Sequence, residues 1–494
     1  GLALAAAGCG GAAAGAGSGA DGGAAAAAAT GGPGQPAGKT LTALSIAALP
    51  AKTTYLMGEP LDLTGLRVSA AYSDGSAEDT LAYSAAGDTF SAGRGSVLIT
   101  AGADAGITAA FPIEVERTLL DTGLPVIYID TRGGREITSR EEYLSAGVEI
   151  RSDNPDHSLK RANGADQIRG RGNSSWNNPK KSYRLRFGEK ISLFGYPPAR
   201  NWVLLAEYRS PTLLQNVIAF ELGHRFALPF TNHYVPVEVV INGRYNGTYI
   251  LTEHVQVGEG RVDIDEGTGF LVEMDMYYDE EPKFTTELLE LPIMIKSPED
   301  LADPAGYDFI AETFRRLEEA LTDSAFPTNA YKDLIDTDNL ADYLLINDIL
   351  MNFELQVPAS VYLYKEADGK LRLGPLWDFD CGYGYEGDNV TFFREYEGRL
   401  PNFYRRDGYI GQAFFQRFFD DPSFVAQYRE RWNEKYPELL DIGPFIETML
   451  GQLAAAQELN NRRWHSVDLA AENQLLLTWW RDRIAYLHQA INET

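Results

Sequence analysis

The stretch LYKEADGKLRLGPLWDFDCGYGYEG, residues 363–387, decides the reading of the chain. Two β-prone segments flank a polar turn, Glu366-Ala367-Asp368-Gly369, and the second runs into a tryptophan and two acids, Asp378 and Asp380. If the strand continues through Trp377, both carboxylates fall on one side of it, because side chains alternate with a period of two. Gly382 and Gly384 then let the backbone turn sharply away. Two hard oxygen donors at a strand end suit Mg²⁺ or Mn²⁺ bridging polyphosphate oxygens. Paired acids at a turn also act as solvated or capping groups, so the neighbouring text has to decide.

Working outward, QIRGRGNSSWNNPKKSYRLRF (167–187) places a Gly-Arg-Gly-Asn-Ser-Ser segment and a Pro-Lys-Lys pair before a strand over 182–187. The small residues of this segment, which also holds Arg171, Asn173 and Ser174, let backbone N–H groups approach a phosphate, and Lys181 or Lys180 supplies a cation beside it. The alternative is a Gly-rich turn with solvated lysines. PTLLQNVIAFELGHRF (211–226) carries Leu214, Val217, Ile218 and Leu222 on one helical stripe with Glu221 among them, an acid that asks for a cationic partner. VPVEVVINGRYNGTYILTE (235–253) is a β-hairpin closed by Asn242-Gly243. ILMNFELQVPASVYLYK (349–365) puts an acid, Glu354, in a loop before a strand. A Gly-bearing loop with lysine, a helix with glutamate, a hairpin, an acidic loop and a final Asp-Phe-Asp is the order of parts that a protein kinase uses.

The phrases RGNSSWNNPKKSYRLRF, LLQNVIAFELG, VVINGRYNGTYILTE, IKSP and GKLRLGPLWDFD resemble the spore-coat protein H (CotH) kinase family over 118 to about 480. The resemblance implies an α+β, atypical protein-kinase-like domain that transfers the ATP γ-phosphate to serine hydroxyls. It implies metal binding by Asp378, with Asp380 as second ligand, and Glu354 as the acid that accepts the hydroxyl proton. Lys181, or failing it Lys180, contacts the phosphates; Glu221, from its helix position and not from a family motif, is the candidate partner of that lysine. Arg171, Asn173 and Ser174 line the nucleotide. Glu354 stands where the coat protein has aspartate, and Gln215 where many relatives carry arginine.

The 494-residue chain is long for one core, which favours two or more domains. Its 70 acids against 43 bases give a net charge of −27, which argues against a nucleic-acid partner. The opening LALAAAGCGG resembles the end of a bacterial lipoprotein signal, with Cys9 as the lipidated residue and residues 1–9 as the signal remnant. Residues 10–38, rich in Gly, Ala and Ser, read as a flexible linker. Residues 39–117 show short alternating strands at turn-separated intervals, an all-β sandwich whose YLMGEPLDLTGLRVSAAYSDGS resembles bacterial immunoglobulin-like repeats. Residues 118–494 form the kinase-like domain, mostly helical beyond 400, with ENQLLLTWWRDRIAYLHQAIN among the helical segments.

These readings describe an extracytoplasmic kinase, anchored to the membrane only by lipid, that uses ATP with Mg²⁺ or Mn²⁺ to phosphorylate Ser or Thr of a surface or coat protein. The competing description is a catalytically weak pseudokinase that acts as a scaffold or adhesion protein with a cell-surface polymer. A glycoside hydrolase built on Glu354 and Asp378 is a third, requiring carboxyl groups about 5 to 9.5 Å apart.

Overall fold

The computed structural model describes residues 27–28, 39–79, 81–102, 106–162, 164–298, 304–385, 392–397 and 409–493. Cys9 and all of the 10–38 segment except Ala27 and Ala28 lie outside the described residues. The architecture is mixed α+β, with an all-β N-terminal region and a helical C-terminus.

The N-terminal strands form two sheets, one of three strands (Leu41–Ala48, Arg67–Tyr72, Ala77–Glu78) and one of five that includes Gly93–Ala101 and Thr108–Leu119. Strand Thr108–Leu119 shows why they pack: Phe111, Ile113 and Val115 point inward while the residues between them face solvent. The Ser73-Asp74-Gly75 turn is held by Asp74 Oδ1, which accepts the Ser76 N–H at 2.9 Å.

The next sheet closes on itself. Val126–Thr131 pairs antiparallel with Leu144–Arg151 on one side and parallel with Tyr234–Ile241 on the other. Between them run Asp166–Arg171, Ser182–Ile191, Ala199–Leu205 and Arg244–Glu253. Ile127, Ile168, Leu185, Trp202, Val237 and Leu251 fill the interior. The expected hairpin is present, with Asn242 (φ 51°) and Gly243 (φ 76°) both left-handed as a two-residue turn of this kind requires.

The closed sheet does not stand apart from the sandwich. Phe90 stacks on Tyr245 with ring centroids 5.8 Å apart. Tyr245 N–H donates to Phe90 O at 2.8 Å, and Ala92 N–H donates to Gly243 O at 2.9 Å. One apolar cluster joins Tyr55, Phe90 and Val97 of the sandwich to Tyr128, Val240, Tyr245 and Leu459 beyond it.

A fourth sheet carries the Asp-bearing stretch: Phe270–Met274 lies between Pro292–Ser297 and Val361–Lys365, with the short Arg372–Leu373 at one edge. Helix α1 (Gln215–Arg225) precedes it; α2 (Pro304–Thr322) and α3 (Thr337–Ile349) fall between its strands in the chain; α4 (Ile410–Phe418), α5 (Pro422–Leu440), α6 (Ile442–Trp464) and α7 (Leu469–Glu493) follow. Asp336 caps α3 by accepting Asn339 N–H at 3.2 Å. At its other end, the buried Arg483 of α7 donates to Asp348 O at 2.6 Å and Ile349 O at 3.3 Å. The Asp348 carbonyl also accepts Met351 N–H at 3.1 Å, so the guanidinium and the backbone together fix where the chain leaves α3 for Glu354. No described helix is long and apolar enough to cross a membrane.

Candidate functional site

A cavity of about 480 Å³ opens between the closed sheet and the fourth sheet. Arg171, Asn173, Ser174, Glu354, Asp378 and Asp380 all line it. Gly172 and Asn173 are held by one arginine. Arg140 Nη1 donates to Gly172 O at 2.8 Å and to Asn173 Oδ1 at 2.6 Å. A Cβ on Gly170 would sit 2.1 Å from the Trp176 ring, so only glycine lets that indole close over the strand.

The strand expected to carry Asp378 and Asp380 ends at Leu373. Asp378 instead has a left-handed backbone (φ 58°), so the two acids do not share a strand face. Such a conformation costs a non-glycine residue about 1–2 kcal/mol and persists where surrounding contacts impose it. The imposing contact is Asn216 of α1, whose Oδ1 accepts the Phe379 N–H at 3.1 Å. Its Nδ2 donates to Glu207 Oε1 at 2.6 Å and lies 3.4 Å from Asp380 Oδ1. Of the two glycines expected to turn the chain, only Gly384 has a positive φ, 67°.

Carboxylates crowd the floor. Burial raises Glu354 well above the usual carboxylate range, with Asp378, Asp380 and Asp275 adding repulsion. Burial and then Asp380 push Asp378 up to about 6, against the pull of Arg171 and Arg209. Asp275, which accepts Tyr277 N–H at 2.7 Å and Ser360 N–H at 3.0 Å, is pushed up to about 7 by burial and by Glu273. Glu354 Oε2 is buried and accepts no hydrogen bond from the described residues. A divalent cation beside Asp378 and Asp380 fits this donor set, since its charge would offset the repulsion that disfavours the charged form of all these carboxylates, Glu354 among them. Among the described residues no three Asp, Glu, His or Cys groups form a ready-made metal cage. Mg²⁺ seldom uses one, taking one or two carboxylates and filling its octahedron with water and phosphate oxygens.

The opposite wall is cationic. Arg169 and Arg184 sit directly across from each other on adjacent strands, and Arg171 projects on the same face two residues from Arg169. Like charges directly opposed in a sheet are destabilising. Burial and the neighbours Arg169, Arg171 and Arg186 lower Arg184. Burial and the cations Arg184, Arg171, Lys296 and Arg169 hold His254 well below its ordinary value, hence neutral. In a chain of net charge −27, this concentration of positive charge gives the wall a chemistry suited to an anion.

The expected lysine–glutamate pair is absent. Glu221 is bound by Arg225 one turn along α1, at 2.9 Å, and by the Tyr234 hydroxyl at 3.0 Å. Its partner at i+4 is in immediate reach, and neither Lys180 nor Lys181 is in contact with it. Lys181 Nζ donates to Trp176 O and lies over the Trp176 ring, 5.1 Å from its centroid. Lys180 turns inward, donating to Thr248 O and to Asn460 Oδ1 at 2.9 Å, where it ties the hairpin to α6. Neither lysine lines the cavity.

Burial pulls the Lys180 ammonium down to about 7 from 10.5, opposed by Glu238 and Glu207. Between those two values the unfolded chain holds a proton the native one lacks, so this lysine's linkage makes stability rise with pH across that window. Melting temperatures of the wild type and Lys180→Met, compared from pH 7 to 9, are expected to diverge in favour of the wild type as pH rises. A constant difference removes Lys180 as the titrating group.

Residues that sequence reasoning missed are Arg184, Asp275, Glu207, Asn216 and Lys296. A signal existed for the arginines, which alternate in QIRGRG and YRLRF. Residues 168–489 match the family described as CotH kinase protein. Residues 48–115 match the bacterial Ig-like domain, group 3. No curated protein matches the chain.

Proposed function

Since the chain belongs to the CotH kinase family, with a bacterial Ig-like domain before the kinase region, we propose that the cavity binds a metal–nucleotide and transfers its γ-phosphoryl group to a Ser or Thr hydroxyl. The observation that carries this reading is the pairing of a crowded carboxylate floor with a cationic wall across one cavity. A cation with a polyphosphate neutralises both at once. Asp378 and Asp380 are the residues that would hold Mg²⁺ or Mn²⁺, which supplies charge neutralisation at the phosphates. Arg169, Arg171 and Arg184 grip phosphate oxygens, and residues 172–174 line the same cavity. Glu354 takes the acceptor's proton as the hydroxyl oxygen bonds to the γ-phosphorus, while the bond from that phosphorus to the β–γ bridging oxygen breaks and the nucleoside diphosphate leaves.

The kinase-like description of the fold is part of this proposal, as are anchoring through Cys9 and an extracytoplasmic location. The Ig-like domain is compatible with such a location. The test is incubation of the full chain with γ-labelled ATP, Mn²⁺ and a Ser-rich acceptor. Label on the acceptor, lost on chelation, is the expected result. Absence of transfer together with an unchanged melting temperature in Mn·ATP overturns it and leaves a scaffold or adhesion role.

A further inference from the structure

Lys296 belongs to the IKSP phrase of the sequence and enters none of the roles above. Its presentation is unusual. In the fourth sheet Leu271 pairs with Ser297 while Val272 pairs with Ile295, so Lys296 is the extra residue of a β-bulge. A bulge leaves its residue out of the ladder and re-aims the side chain, and bulges concentrate beside active sites. Here the re-aimed side chain lines the cavity.

The lysine is also held charged while enclosed. Its side chain is only 16% exposed, and Nζ lies 3.1 Å from Glu273 Oε2 on the adjacent strand and in contact with Glu280. Glu273 is itself enclosed, on the central strand two residues before Asp275. Two carboxylates thus fix one ammonium among the groups lining the cavity that holds Glu354 and Asp378. The arginines project from the closed sheet, so the cavity has a second cation source on its other side. Lysine is a compact point charge with rotatable donors, suited to a group whose oxygens move during transfer, whereas arginine's rigid fork suits static phosphates.

Resting on the metal–nucleotide reading, we propose that Lys296, re-aimed by the bulge and held by Glu273 and Glu280, contacts the transferred γ-phosphoryl group. It takes the part that the sequence resemblance gave to Lys181, with Glu273 in place of Glu221 as its positioning residue.

The experiment measures affinities for Mn·ATP and Mn·ADP by calorimetry on the full chain, for the wild type, Lys296→Met, Lys296→Arg and Glu273→Gln. The wild type is expected to prefer the triphosphate at least tenfold. Lys296→Met is expected to bring the ratio to about one with Mn·ADP affinity within twofold of wild type. Lys296→Arg is expected to retain part of the preference, and Glu273→Gln to reduce it. Should Lys296→Met not fold, Lys296→Arg and Glu273→Gln decide: both at the wild-type ratio overturns the assignment. A folded Lys296→Met with the wild-type ratio overturns it, as does a wild type that binds both nucleotides equally. A wild type that binds neither overturns the underlying metal–nucleotide reading instead.

Discussion

Replacing Asp378 by alanine is expected to reduce metal-dependent phosphoryl transfer roughly 10²- to 10³-fold, the loss typical of removing one preorganised electrostatic contact to a developing charge. The effect should appear in kcat more than in overall stability. Removing a carboxylate that Asp380 and burial both disfavour relieves repulsion in the protein without metal. A melting temperature equal to or above that of the wild type in chelator, combined with loss of the Mn·ATP-induced rise, is the expected signature. Measured in parallel, Glu221→Gln should leave transfer unchanged, because Glu221 binds Arg225 and Tyr234 away from the cavity. Equal losses in both variants would mean that α1, rather than the carboxylate floor, organises the chemistry.

Removing residues 39–117 is expected to destabilise the remainder, not merely to shorten it. The cut uncovers Tyr128, Val240, Tyr245 and Leu459, all buried in the cluster shared with the sandwich. At about 1.5–3 kcal/mol for each fully buried apolar side chain, the upper estimate is on the order of 6–12 kcal/mol. That is comparable to the whole stability of a typical domain. It also removes the Phe90 carbonyl that receives Tyr245 N–H. The truncated chain should aggregate or melt far below the full chain in calorimetry. A truncation with an unchanged melting temperature would show that the sandwich is only a spacer. If the coupling holds, residues 118–494 are a poor stand-in for the protein in activity measurements.

Local chemistry made part of this fold legible in the sequence. The hairpin could be read from Asn242-Gly243 because the turn's left-handed φ values select those residues wherever they occur. Glu354, Asp378, Asp380, Arg171, Asn173 and Ser174 could be grouped because each lies in a phrase whose order along the chain matches a known set of parts, and the cavity holds them together. Lys181 and Glu221 could not be paired correctly, since a helix position does not reveal which neighbour a carboxylate will meet. Arg225 at i+4 was the nearer partner all along. The closure of the large sheet rests on a parallel pairing between 126–129 and 238–241, a contact that leaves no local trace. The bulge at Lys296 was equally hidden, because register is a property of two strands and not of either one. Nor does the continuous run GPLWDFD announce that the strand ends before it, at Leu373, and that its first aspartate has a positive φ.

The most direct measurement is crystallographic: the full chain with Mn²⁺ and a non-hydrolysable ATP analogue, collected at a wavelength where manganese scatters anomalously. An anomalous peak within bonding distance of Asp378 or Asp380, with the phosphates extending toward Arg169, Arg171 and Arg184, is the predicted result. A nucleotide seated elsewhere, or manganese bound without either aspartate, would contradict the account.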